Sequence, residues 1–406
     1  MITKKKFWIR ASLFNLAFVA LLGLILRTKI LFPIPFIDFR NMLSSHSHFA
    51  FGGWVSLILM TLLVYDVLPA SAFNKKIYQV CLWSMHITSW GMALTFPFNG
   101  YALLSIIFSS AFIFATYLFS WVFIRDIFRN KPSRPVLLLC TSGLIALVLS
   151  SIGPFSLAHI MATQSGDSIR YRDSIYLFLH FQYNGFFTLT VLGLFFHKIL
   201  DTVDRKQVRD FYNFSLFLCL SVIPAYFLSI LWHPDNRLLV IIASIGSALI
   251  LLTLAWFFKI ISKLWNSSRG LHPYAQWFLF IACTAFILKM FFQMGTMVPG
   301  LDTAIYANRP VIIGFLHMVF LGFITFYILS HLVRAGFFFM ESGLTRVALF
   351  ILSAGILTNV TILLLQGFLI LLKITSDIFE WLLWFASLLL LVGAGLLSGV
   401  ASRKRV

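Results

Sequence analysis

Charged residues are scarce in this sequence: Asp, Glu, Lys and Arg together make up 11% of its 406 residues, while hydrophobic residues make up 60%. A water-soluble domain of this length needs far more polar surface, so the composition excludes an ordinary soluble globular protein. Acidic residues are the scarcest, with only 13 in the chain, and all of them lie in loops or near the ends of apolar runs. The midplane carboxylate that ion-coupled transporters usually carry is therefore lacking.

Cysteine motifs and a cleavable leader are lacking as well. The chain has four cysteines, each in a different apolar run: Cys81, Cys140, Cys219 and Cys283. No CxxC or CxxCH motif occurs, which excludes a disulfide framework and a c-type haem attachment site and is typical of small core residues. The apolar stretch from Phe7 runs past Leu26 without a small-residue cleavage site, so we expect a retained first helix.

Long apolar runs are the main feature that is present. They are about 20 residues long, the length with which an α-helix crosses a bilayer, and they do not alternate as β-barrel strands do. The sequence thus predicts an all-α integral membrane protein with twelve transmembrane helices, at 7–31, 45–68, 77–97, 101–125, 136–159, 174–198, 211–232, 238–264, 274–298, 309–333, 344–372 and 378–400. No linker is long enough to separate two domains, so residues 1–406 are predicted to form one membrane domain.

The distribution of basic residues predicts the orientation. With the N-terminus in the cytoplasm, 22 of the 31 Lys and Arg residues fall in inner segments and eight in outer ones. Cytoplasmic loops carry this excess in multi-pass proteins, so we expect both termini on the cytoplasmic side of the cell inner membrane. The net charge of +18 then reflects topology and attraction to anionic lipid rather than binding to nucleic acid.

Three histidines lie at similar depth in helices that run from outside to inside: His48, His180 and His317, in the second, sixth and tenth predicted helices. They are separated by 132 and 137 residues, close to one third of the chain. A pseudo-threefold arrangement of four-helix units, at about 1–130, 131–265 and 266–406, would produce this spacing. An intramembrane histidine can simply bond a neighbouring helix, but a polar group at this depth also suggests a functional site.

The depth of these histidines indicates a role as metal ligands. Neutral imidazole binds iron, copper and zinc, and a haem iron can be held by two imidazoles from two helices. Zinc sites usually recruit cysteine or carboxylate too, so haem fits this sequence better. The haem propionates would require cations near the outer face, for which Arg40, Arg309 and Lys289 are the candidates. A snorkelling lysine is the alternative interpretation of Lys289, the one charge inside a predicted helix.

At this point the whole chain resembles the haem-copper oxidase subunit I superfamily, which includes the large subunit of nitric oxide reductase. The shared features are twelve helices, an inner N-terminus and histidines on helices 2, 6 and 10. The resemblance implies a low-spin, b-type haem bound by His317 together with His48, or with His46 of the same Ser45–Phe49 run. It also implies an electron-donor subunit or cytochrome as partner.

The family's copper ligand on helix 6 corresponds to His180, which would bind a second metal or haem. The surrounding segment is similar to helix 6 of the reductases, with Asn184 where they have glutamate. Two elements of the family's copper and high-spin haem site are absent. No histidine occurs in 211–232, where the family has a His-His pair, and Phe315 stands where helix 10 of the family has its first histidine.

The sequence therefore predicts a membrane b-type haem protein with an intact low-spin haem site and an incomplete copper site. Its expected activity is electron transfer or O2/NO chemistry; catalytic turnover would make it an oxidoreductase of the haem-copper type. A second resemblance is to the NnrS family of haem-binding proteins linked to nitric oxide stress, whose early His-x-His is similar to His46-Ser47-His48. A transporter or permease without haem is the third interpretation.

The predicted orientation can be tested with reporter fusions. A topology reporter fused after Arg405 should read as cytoplasmic, and one inserted within 160–173 should read as external, because the basic residues cluster on the inner side. A reporter within 126–135 is the internal control for a cytoplasmic loop. The opposite reading at either site would contradict the orientation.

Overall fold

A computed structural model describes residues 2–200, 203–233 and 236–402, and these ranges are almost entirely helical, without a β-strand. Ten of the helices are long and apolar enough to cross a membrane. This confirms an all-α, multi-pass membrane protein. Arg405 and its basic neighbours at the C-terminus, as well as residues 234–235 of a predicted outer loop, lie outside the described residues.

The long helices coincide with the segments expected from the sequence. They are α1 (Ile2–Leu31), α2 (Phe39–Val67), α3 (Lys76–Asn99), α4 (Leu103–Asn130), α5 (Arg134–Thr163), α6 (168–199), α7 (Gln207–Ile230), α8 (Arg237–Ser268), α9 (Pro273–Gly295), α10 (Arg309–Arg334), α11 (Gly343–Leu371) and α12 (Ile378–Ser402). Two of them, α3 and α6, fall outside the ten membrane-spanning candidates. Helix α6 falls outside them because His180, Gln182 and Asn184, in its middle, lower its mean hydropathy.

Helix α2 begins earlier than the expected position 45. The side chain of Asp38 accepts a hydrogen bond from the backbone N–H of Asn41, at 2.8 Å, and thereby caps the helix before Phe39. Asp is a favoured residue for this role because it satisfies an otherwise unpaired N–H group. The earlier start places His46 and His48 about two turns into the helix instead of at its end.

Three helices change to π-helical geometry at corresponding points. The corresponding π segments are Ala50–Ser56 in α2, Phe181–Phe187 in α6 and Met318–Thr325 in α10; α2 has a second π segment, Leu63–Val67, at its other end. They begin 131 and 137 residues apart, nearly the spacing of the histidines, and each begins directly or almost directly after a histidine. Such segments are uncommon and occur frequently at functional sites.

The three π segments meet at the centre of the molecule. The ring of Phe51 lies 5.7 Å from Phe187 and 4.6 Å from Phe320, and the last two rings are 5.4 Å apart. In agreement with this position, 78% of the apolar stretch of α2 is buried inside the protein, against 28% for α4. Helices α2, α6 and α10 thus form the inner layer, and α4 is peripheral.

Two of the inner helices, α2 and α10, are joined to α1 at their predicted cytoplasmic ends. Asp66 of α2 accepts hydrogen bonds from Nζ of Lys5 on α1 and from Nε2 of His331 on α10, the latter at 2.8 Å. The side chains of Asp66 and His331 are both buried. A buried carboxylate requires such partners, and this cluster therefore fixes α1, α2 and α10 relative to each other.

Helices α11 and α12 pack closely through small residues. An added Cβ at Gly393 would lie 2.4 Å from the backbone nitrogen of Leu352, and one at Gly355 would lie 2.8 Å from the backbone nitrogen of Leu390. Glycine allows this backbone approach, which is a common way for helices to associate in lipid. Helix α12 in turn packs against α1, so the last helix contacts the first.

This packing predicts that alanine is destabilising at Gly393 and tolerated at the nearby Gly395. Gly393→Ala should lower the free energy of unfolding by about 1–3 kcal/mol, because the new methyl group meets backbone that has no room to move. Gly395→Ala is the matched control, since nothing lies within 4 Å of the position its Cβ would occupy. Thermal unfolding in detergent measures both. An equal loss in the two variants would contradict this packing.

Candidate functional site

A cavity of about 380 Å³ lies between α1, α2, α10, α11 and α12. Its volume falls in the range of about 300–1,000 Å³ that is typical of cofactor and small-molecule pockets. Most of its lining is aliphatic or aromatic, whereas three charged side chains, Arg27, Arg309 and Glu380, line it near the helix ends that are predicted to face outside. It is therefore an apolar site with charge at one end.

His46 faces this cavity from α2. Its Nδ1 lies 3.1 Å from the backbone carbonyl oxygen of Val19 on α1. Because a carbonyl oxygen only accepts, Nδ1 carries the proton and Nε2 keeps its lone pair. Gly23 makes the approach of α1 possible, since a Cβ there would lie 3.2 Å from Cε1 of His46.

His317 faces the same cavity from α10 and has the same tautomer. Its Nδ1 lies 2.8 Å from the carbonyl oxygen of Ile313, one turn earlier in the helix. Within the described residues, no hydrogen-bond partner occupies Nε2 of either His46 or His317. The two imidazoles are also close enough to interact electrostatically. The cavity thus brings together two Nε2 lone pairs from two helices.

His48, two residues after His46, points elsewhere. It does not line the cavity; its ring stacks on Phe96 at 4.7 Å, and its Nε2 lies 3.0 Å from the hydroxyl of Tyr101. The Tyr101 phenol is protonated at neutral pH, as an ordinary tyrosine is. Of the two histidines that the sequence offered on this helix, the geometry favours His46 as the partner of His317.

The cationic residues are arranged differently from expectation. Of the three predicted from the sequence, Arg309 lines the cavity, whereas Arg40 is exposed at the start of α2 and Lys289 is buried in α9. Arg27 is the second cation of the cavity. It lies near the end of α1 that is predicted to face outside, as Arg309 does at the start of α10, and this position can be read from the sequence.

The carboxylate of Glu380 contacts two side chains at the charged end of the cavity, Arg27 and Gln366. Nη1 of Arg27 lies 3.0 Å from Oε2 of Glu380, and Gln366 donates to Oε1 at 3.0 Å. The guanidinium of Arg309 has no carboxylate partner in the described part of the chain and lies over the ring of Phe39 at 5.8 Å. The charge of Arg27 is therefore largely compensated by Glu380, whereas the guanidinium group of Arg309 is available to an anionic ligand.

Two buried polar atoms in the cavity wall lack partners. In the part of the protein that the structure describes, neither Nε1 of Trp54 nor Oδ1 of Asn359 makes a hydrogen bond. Buried polar atoms are nearly always paired, so unpaired ones at a cavity indicate a missing partner. A ligand with polar substituents, or water ordered beside one, would satisfy both atoms.

His180 has both ring nitrogens engaged. Nε2 donates to the carbonyl oxygen of Val222 on α7, at 2.7 Å, and Nδ1 accepts from the amide of Asn184, at 3.0 Å. The side chain is fully buried. Among the described residues there is also no group of three or more His, Cys, Asp or Glu that could hold a metal ion. This arrangement leaves His180 without a lone pair for a second metal.

Comparison with known proteins adds no family to this picture: no protein-family model matches the chain, and no curated protein matches it. The fold and the cavity define a class, a multi-pass all-α membrane protein with an apolar cavity that two imidazoles and two guanidinium groups face.

The Arg27–Glu380 contact predicts a measurable coupling. In a double-mutant cycle with Arg27→Met and Glu380→Gln, we expect a coupling free energy of unfolding of about 1 kcal/mol, because both side chains are shielded from solvent. The exposed pair Arg170–Asp167 is the control, with an expected coupling near zero. Indistinguishable coupling in the two cycles, measured by denaturation in detergent, would contradict a structural role for the contact.

Proposed function

We propose that this protein is a membrane b-type haem protein in which His46 and His317 are the axial ligands of a low-spin haem. The observation that carries the proposal is the pair of imidazoles on α2 and α10 that face one apolar cavity. In each ring Nδ1 is held by a backbone carbonyl group and Nε2 is available. Haem-binding histidines have this second hydrogen bond, which fixes the tautomer and makes the ligand more basic.

The remainder of the cavity suits the same ligand. Its aliphatic and aromatic wall matches a porphyrin face, and the charge of Arg309 is available to a propionate. Arg27 would hold a second propionate only in competition with Glu380. The N–H of Trp54 is an additional donor in the wall. These features fit haem better than they fit a bare metal ion, which would require more ligands than two imidazoles.

Two axial imidazoles favour electron transfer as the function. If both His46 and His317 hold the haem, it would supply one-electron transfer rather than bind O2 or NO. The backbone carbonyl groups of Val19 and Ile313 orient the two rings. The engaged nitrogens of His180 support the view that the copper site of haem-copper oxidases is absent here. An electron-donor subunit or soluble cytochrome is the expected partner.

The proposal includes the architecture of the wider family. We infer that α3 and α6 also cross the membrane, giving twelve transmembrane helices in three four-helix units. The support comes from the second helix of each unit, since α2, α6 and α10 each have a π segment next to a histidine at nearly equal spacing. The Phe51, Phe187 and Phe320 rings then lie on the pseudo-threefold axis.

The experiment compares three histidine variants in detergent-purified protein. His46→Ala and His317→Ala should each abolish the sharp α-band of low-spin b-type haem in the reduced-minus-oxidised spectrum, because each removes an axial ligand. His48→Ala is the matched control: it lies two residues away on the same helix, contacts Tyr101 rather than the cavity, and should keep the band. Normal membrane levels of all three variants would exclude misfolding.

Three results would contradict this assignment. The first is a wild-type protein without a Soret band after expression with ample haem, which would refute the haem proposal. The second is loss of the α-band in His48→Ala together with its retention in His46→Ala, which would make His48 the ligand. The third is stoichiometric copper with turnover that His180→Ala abolishes, which would show an active binuclear centre.

A further inference from the structure

Lys289 is a buried lysine without a hydrogen-bond acceptor among the described residues. It lies in α9, about four residues before the last turn, and is 1% exposed. Within the described ranges it forms no hydrogen bond and no ion pair, and its Nζ lies 5.9 Å from the centre of the Phe286 ring. A cation–π contact at this distance is weak compared with the cost of removing an ammonium group from water.

Gln293 lies one turn further along the same helix and is also unpaired. It is 6% exposed, and neither its Nε2 nor its Oε1 has a hydrogen-bond partner in the part of the chain that is described. Residues four positions apart are neighbours on one helix face. Lys289 and Gln293 therefore present unused donors side by side in a buried place, which is a rare arrangement in a folded protein.

The surroundings do not compensate the charge. Lys289 is close enough to His180 for an electrostatic interaction, but His180 is a neutral imidazole whose nitrogens are bound to Val222 and Asn184. None of the salt bridges in the described residues includes Lys289. An anion from outside the chain would supply the acceptor that this side chain lacks among the described residues, and it would favour the ammonium form.

We propose that Lys289 and Gln293 form a binding site for a small monovalent oxyanion, a carboxylate or an inorganic oxyanion, near the predicted outer end of α9. One oxygen accepts from the Nζ ammonium group of Lys289 and the other from the Nε2 amide of Gln293. A two-oxygen anion suits two donors that are one helical turn apart, whereas a halide offers a single centre. The site lies outside the cavity of His46 and His317 and does not depend on haem.

The test uses haem-free, detergent-purified full-length protein and sodium formate as the probe. Thermal unfolding is followed while formate replaces gluconate at constant ionic strength. A bound anion stabilises the folded state by mass action, so the Tm of the wild type should rise and then saturate. The rise should be lost in Lys289→Met. Lys76→Met, an exposed lysine, is the control and should respond as the wild type does.

A second variant tests the amide. Gln293→Leu should keep the saturable response with about tenfold weaker affinity, as expected for one lost hydrogen bond to a charged group. In buffer without formate, Lys289→Met should have a higher Tm than the wild type, because the uncompensated charge is gone. No saturable rise in the wild type, or an equal rise in Lys289→Met, would overturn the proposal.

Discussion

An imidazole in the interior of a membrane protein must place its N–H on an acceptor, and the choice of nitrogen decides what the other one can do. In His46 and His317 the proton is on Nδ1, held by the carbonyl groups of Val19 and Ile313, so that Nε2 remains available. In His180 the donor is Nε2, and Asn184 occupies Nδ1. Within the described residues, His46 and His317 thus keep an available Nε2, whereas both ring nitrogens of His180 are engaged.

The close-packed centre makes these contacts possible. The π segments of α2, α6 and α10 meet at the rings of Phe51, Phe187 and Phe320, and two of these rings, Phe51 and Phe320, also line the cavity. The aromatic cluster therefore separates the cavity from the region of His180. On one side of it two imidazoles face a common space; on the other a locked histidine lies near an unpaired lysine.

Sequence reasoning predicted the helices because each apolar run is long and the lipid requires helices, whatever the tertiary contacts. It did not choose between His46 and His48. Residues two positions apart, such as His46 and His48, point about 200° apart around a helix. Which of them faces the cavity depends on where α1 and α10 pack, and the sequence alone does not give this packing. Sequence reasoning also could not predict that Nε2 of His180 is engaged, because its partner, the carbonyl group of Val222, lies 42 residues away in the chain. Arg27 could have been predicted as a cavity residue, because it is a cation near the same predicted outer side as Arg309.

The central claim is that His46 and His317 together complete the coordination of one haem iron. Electron paramagnetic resonance of the oxidised, haem-loaded protein tests it most directly, because the spin state reports whether both axial positions are filled by strong ligands. The account predicts a low-spin, bis-imidazole signal in the wild type that becomes high-spin in His46→Ala. A high-spin signal in the wild type, or a low-spin signal that persists in His46→Ala, would contradict it.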